Sequence, residues 1–114
     1  MRLLWEDRAW EDYLYWQMQD KKTLKRINAL IKDIARNAFD GIGKPEPLRG
    51  ALSGWWSRRI DDVNRIVYYE ENGIVFIVSC RGHYDDTGQQ LLYLHNLPKK
   101  GHRTARRLSG VPFK

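Results

Sequence analysis

One cysteine, Cys80, stands in 114 residues. No disulfide can form within the chain, and a reducing compartment is expected. Long apolar runs are absent: no stretch approaches the roughly 18 apolar residues of a membrane span. The opening MRLLWEDRAW has no apolar segment of signal-peptide length. The chain reads as cytoplasmic, with no membrane partner. Histidine is scarce, and His83, His95 and His102 with one cysteine give no metal-ligand spacing. No glycine-rich phosphate loop precedes a helix, and no serine sits in a nucleophile elbow. No metal or other cofactor is expected.

Acidic residues are the minority, 14 against 20 Lys and Arg, for a net charge of +6. The excess is uneven. Residues 1–84 hold 14 basic and 12 acidic side chains, and residues 85–114 hold 6 and 2. Basicity thus belongs mostly to the tail. It suits a nucleic-acid partner but says nothing of fold. The length fits one domain with one modest core.

Residues 2–5 suit a short strand. Asp7 is placed to cap a helix over 8–18, where Trp10/Leu14 and Ala9/Tyr13/Trp16 recur at helical spacing. Asp20 is placed to cap a second helix, with Leu24, Ile27, Ile31, Ile34 and Ala38 on one stripe. Its lysines and arginines fall mostly off the stripe, as a solvated face or an RNA-facing one. DGIGKPEPLRG (40–50) is read as irregular. Strands are expected over 54–61, 65–70 and 74–81, the last two joined through EENG. The order βααβββ points to an α+β fold with two N-terminal helices on a small, mainly antiparallel curved sheet. The tail has one weak apolar patch, Leu91 to Leu97, then a basic run with glycines and prolines. It is read as a poorly ordered extension over 85–114.

Charged residues gather near strand ends: Glu46, Arg49, Arg58, Arg59, Arg65, Arg81 and His83, with Tyr84 beside them. Such a set could cleave RNA, which carries its own nucleophile, the 2′-OH. Cleavage needs a base for that proton, an acid for the departing 5′-oxygen and cations around the phosphate. A carboxylate or imidazole can be the base, an imidazolium the acid, and arginines can hold phosphate oxygens in pairs. Each residue also has a plainer reading. Glu46 between prolines suits a solvated carboxylate, His83 a surface residue, and Arg58-Arg59 a surface edge packed on the neighbouring tryptophans.

WEDYLYW (10–16), KRINALIKDI (25–34), GIGKPEPLRGALSGWWSRRID (41–61) and NRIVYYEENGIVFIVSCRGHY (64–84), in that order, resemble the YoeB-like toxins of the RelE-like superfamily. The resemblance spans residues 1–84. It implies the toxin of a type II toxin–antitoxin system, a ribosome-dependent mRNA endonuclease (mRNA interferase) that cuts mRNA in the ribosomal A site and halts translation. It implies the microbial-RNase type of fold, a YefM-type antitoxin as partner and a possible homodimer. By the same resemblance Glu46 is the general base, Arg65 binds the scissile phosphate, His83 is the general acid and Tyr84 shapes the site. Arg59 helps hold phosphate, with Arg49 and Arg81 as further phosphate contacts. Arg49 stands where the family often has Lys.

The residues also set a register test. A two-residue loop Asn72-Gly73 would put Arg65 opposite Cys80 and on the other face from Arg81. A three-residue loop would pair Arg65 with Ser79 and bring Arg65, Arg81 and, if the pleat continues, His83 to one face. The catalytic reading prefers the three-residue loop. A rival function is a non-catalytic toxin of the same superfamily, which inhibits the ribosome or DNA gyrase by binding alone. That rival has no need of Glu46, Arg65, His83 and Tyr84 together. The extension from Asp85 has no counterpart in the resemblance. Asp85 and Asp86 also bring negative charge to where a phosphate would approach.

Overall fold

The computed structural model describes residues 1–82 and, as backbone, the pair Arg107-Leu108. The expectations for His83, Tyr84 and most of the extension lie outside these residues. The elements run β1 (Arg2–Trp5), α1 (Asp7–Gln19), α2 (Lys21–Arg36), β2 (Glu46–Pro47), a 3₁₀ turn (Gly50–Leu52), β3 (Trp56–Arg59), β4 (Arg65–Glu71), β5 (Ile74–Ser79) and β6 (Arg107–Leu108). The strand order is β2-β3-β4-β5-β1-β6. All pairings are antiparallel except β1 on β5, which is parallel because the two helices carry the chain over the sheet between them.

Asp20 caps α2 as expected, its carboxylate accepting from the backbone N–H of Lys22 and Thr23 at 3.1 and 3.2 Å. Asp7 does not cap α1. The helix starts one residue earlier than expected, with Glu6 at the cap position and no side-chain cap bond. Asp7 lies in the first turn, where a carboxylate favours the positive end of the helix dipole. Ile27, Leu30, Ile31 and Ile34 form the buried stripe of α2. The cations Lys21, Lys22, Lys25, Arg26, Lys32 and Arg36 are all exposed.

The segment 40–50 is more ordered than its glycines and prolines suggest. Glu46 and Pro47 pair with Ser57 and Trp56 as an edge strand. Proline has no N–H to donate, and an edge position does not ask for one. The sheet is apolar on both faces. Under the helices lie Trp5, Ile66, Tyr68, Val75 and Ile77. The other face buries Leu4, Leu48, Leu52, Trp55, Val67, Tyr69, Phe76 and Val78. There Trp55, Tyr69 and Phe76 stack in succession, with centroids 5.8 and 4.7 Å apart. Burial on both faces explains why Ile74–Val78 is an unbroken apolar run. It also makes two apolar clusters where one core was expected.

The β4–β5 loop is the two-residue Asn72-Gly73, both at positive φ (54° and 80°), so the expectation of three residues is wrong. Such a turn matches the twist of paired strands. Glu71 faces Ile74 and Tyr68 faces Ile77, but a bulge then shifts the pairing so that Val67 faces Ser79. The bulge, not the loop, supplies the one-residue slip. Beyond Ser79 the pairing is irregular again: Arg65 N–H donates to Gly82 O at 2.9 Å, so Arg65 does not face Ser79 as expected.

Arg58, read as a surface residue, is fully buried. Its guanidinium donates to Tyr68 Oη (3.0 Å), Asp33 Oδ2 (2.6 Å) and the carbonyls of Ile42 (3.1 Å), Asn37 (2.6 Å) and Asp40 (3.1 Å). Asp33 also accepts from the Ile42 N–H and from Arg36. This clamp fixes the turn that delivers the chain to β2. Gly41, at φ +139°, passes so close that an added Cβ would overlap Asp33 Oδ2 and stand 3.0 Å from Arg58 Nη1. Gly41→Ala is expected to cost about 2 kcal/mol through strain and a displaced clamp, read as a lower urea midpoint with unchanged slope.

Candidate active site

Glu46 and Arg65 sit on strands that do not touch. β3 runs between them, and Glu46 is paired with Ser57, which is paired with Val67. The small side chain of Ser57 lets the two reach across. Arg65 Nη1 meets Glu46 Oε1 at 2.7 Å and Ser57 Oγ at 3.4 Å. The Arg65 side chain is 16% exposed and that of Glu46 46%. The guanidinium is thus held from below by the sheet, and the carboxylate keeps access to solvent. Ser57 was not singled out from the sequence. Its one signal is a small residue between tryptophan and arginine on an otherwise bulky strand.

Arg59 lies directly opposite Arg65 across the β3–β4 ladder and is exposed. Two like charges facing each other repel. Glu46 offsets one of them, and the other is left for an anion. The backbone of Arg59 is fixed by its N–H to Gly43 O at 2.7 Å. Arg49 is exposed at the start of the 3₁₀ turn, just after Leu48 anchors in the second apolar cluster. Arg81 is not brought to this group. Its guanidinium lies 3.7 Å over the ring of Tyr15 on α1.

The segment leading to His83 is gripped from two sides. Cys80 N–H donates to Asp12 Oδ2 (3.1 Å), and Cys80 O accepts from Trp16 Nε1 (2.8 Å). Burial, with the Asp12 charge, pushes the Cys80 thiol up, so it is no nucleophile at neutral pH. Gly82, at φ +98°, donates to Asn64 Oδ1 and accepts from Arg65 N–H, both at 2.9 Å. His83 and Tyr84 follow, outside the described residues. Among those described, no three or more His, Cys, Asp or Glu side chains gather in a metal-holding group. No described helix is long and apolar enough to cross a membrane.

The family described as YoeB-like toxins of bacterial type II toxin–antitoxin systems matches residues 5–84. Toxin YoeB of Escherichia coli K12 is 52% identical over 84 residues, which are 74% of this chain and 100% of the relative. The solved YoeB/ParE toxin from Agrobacterium tumefaciens superposes with a TM-score of 0.71 at 43% identity, over 74% of this chain and all of that one. YoeB from Staphylococcus aureus, solved as a heterotetrameric complex with YefM and as a dimer, gives 0.67 at 47% identity, over 72% of this chain and 95% of that one. The family match over residues 5–84, the identity to the curated relative and the superposition agree, and this chain belongs to the YoeB-like toxins of bacterial type II toxin–antitoxin systems.

Proposed function

We propose that the chain is a ribosome-dependent mRNA endonuclease that cuts mRNA in the ribosomal A site. The observation that carries this reading is the Glu46–Arg65 contact of 2.7 Å beside the exposed Arg59. A half-exposed carboxylate next to a fixed guanidinium suits a base beside a phosphate. An arriving phosphate competes with Glu46 for Arg65 and leaves the carboxylate free to take the 2′-OH proton. The 2′-oxygen then attacks the adjacent phosphorus, and the bond to the 5′-oxygen breaks. His83 gives that oxygen its proton, leaving a 2′,3′-cyclic phosphate and a 5′-hydroxyl. Arg65 and Arg59 stabilise the charge that grows on the phosphate oxygens, and Tyr84 packs against the nucleotide. Arg49 extends the cationic rim, and Arg81 joins it only by leaving Tyr15. The step as written uses no metal. DNA lacks the 2′-OH and is not a substrate. The ribosome supplies the orientation of the mRNA, so free RNA is cut slowly.

A YefM-type antitoxin is the proposed inhibitor and a homodimer the proposed assembly, by analogy with the S. aureus complex and dimer. The test is cleavage of ribosome-programmed mRNA, mapped by primer extension, with the full chain beside a chain ending at Tyr84. Both are expected to cut at the A-site codon, and His83→Gln to lower the rate by about 10²-fold while still binding ribosomes. Ribosome binding without any cut from either chain would replace this reading with that of a non-catalytic toxin. Cutting by the short chain alone would make the extension an inhibitory lid.

A further inference from the structure

Gly82 is the last residue before the proposed acid, and it sits at φ +98°, a region glycine enters freely. That freedom also leaves the backbone direction at Gly82 unset unless something holds it. Both polar backbone groups of Gly82 are held by consecutive residues. Its N–H goes to Asn64 Oδ1, and its carbonyl takes the Arg65 N–H, each at 2.9 Å. Asn64 is itself fixed. Its N–H donates to Asp61 Oδ1 at 2.6 Å, its Nδ2 lies 3.2 Å from Asp61 Oδ2, and its carbonyl accepts from Ile60 and Asp61 N–H at 2.9 and 3.3 Å. Asp61 Oδ1 also takes the Val63 N–H at 2.8 Å. The β3–β4 turn is therefore a small rigid knot with one side-chain acceptor aimed at Gly82.

We infer that Asn64 is a positioning residue for cleavage: its Oδ1 pins Gly82, the residue that precedes His83 in the sequence, beside Arg65, the next residue along β4. This rests on the proposed nuclease reading. A bond from Asn64 to a distant strand would be only structural. Here it ties the segment before the acid to the residue before the phosphate-binding arginine. An acid displaced by an ångström loses much of its effect, whereas this role gives Asn64 no part in ribosome binding.

The test uses the full chain on ribosome-programmed mRNA under single-turnover conditions. Asn64→Ala is expected to lower the maximal rate on the order of tenfold to a hundredfold, with the half-saturating ribosome concentration unchanged. Should Asn64→Ala fail to fold, Asn64→Gln keeps the amide, misplaces the acceptor and gives the same reading. The exchange Asp61→Asn with Asn64→Asp reverses the side-chain pair, keeps an acceptor for Gly82, and is expected to restore most of the rate. In a His83→Gln background Asn64→Ala should have no further effect, because the two act at one point. A full rate in Asn64→Ala, or the same loss with and without His83, overturns the positioning role. A full rate in His83→Gln alone overturns instead the nuclease assignment of His83, whatever Asn64 does.

Discussion

Arg58→Met is expected to destabilise the chain by about 3–5 kcal/mol, the range seen when one partner of a buried ion pair is removed. For a domain of this size that lowers Tm by at least about 12 °C. Methionine keeps the apolar stem and is close to arginine in volume, so the loss is not mainly a cavity effect. What goes is the donor set. The Asp33 carboxylate, the carbonyls of Asn37, Asp40 and Ile42 and the Tyr68 hydroxyl lose their shared cation at once. Tyr68 Oη still donates to Ala38 O, and Asp33 keeps Arg36, so part of the network survives. The three carbonyls have nothing in its place. Arg58→Lys should recover little, because one ammonium cannot span five acceptors arranged around a planar fork. Thermal and urea unfolding check both variants, and a Tm within a few degrees of wild type would show the clamp to be dispensable.

The same clamp sets an acid limit. Hydrogen bonds from Arg36, Arg58 and the Ile42 N–H hold the Asp33 carboxyl well below the usual carboxylate range. Its folded value is lower than its unfolded value. The stabilisation is therefore fully present above about pH 4 and is lost as pH falls toward the folded value. In Arg58→Met that acid dependence should shrink, since one of its causes is gone.

Much of this fold was legible because its signals are local. Asp20 before a run of apolar residues at steps of three and four can hardly mean anything but a capped helix. Asn72-Gly73 between two runs of Val, Ile and Tyr marks a hairpin just as directly. The clamp was not legible, because an arginine after a tryptophan looks the same whether it lies in solvent or meets five acceptors drawn from residues 33 to 68. Nor was the bulge. Nothing in GIVFIVS (73–79) marks where a strand takes an extra residue, and here it sits within an even apolar run. The loop expectation failed for a linked reason: along regular strands a three-residue loop is what brings Arg65 and Arg81 to one face, whereas here the register shifts within the ladder, at Val67/Tyr68. Charge and strand-end position gather Glu46 and Arg65 with several other residues, and only the family resemblance pairs them. The physical reason for the pair is Ser57, whose smallness matters only once β3 is known to run between them.

Arg65→Ala is expected to lower cleavage of ribosome-programmed mRNA by about 10³-fold or more, in the range of lost transition-state cations and oxyanion donors. Stability should change little, by about 1 kcal/mol or less, because Glu46 is 46% exposed and water can replace its partner. That contrast separates the two arginines. Arg58 has its acceptors built into the fold, and losing it costs stability. Arg65 meets a half-solvated carboxylate, which an arriving phosphate can displace. Arg65→Lys keeps the charge without the planar fork and should fall between wild type and alanine. Glu46→Gln keeps a hydrogen-bond acceptor for Arg65 but no base, so it should also cut slowly. The double variant should be barely slower than Arg65→Ala alone, since both residues act in one step. An Arg65→Ala chain that folds, binds ribosomes and still cuts at the wild-type rate would make the 2.7 Å contact a surface ion pair and nothing more. In that case the cation for the phosphate has to be Arg59, the residue directly across the ladder.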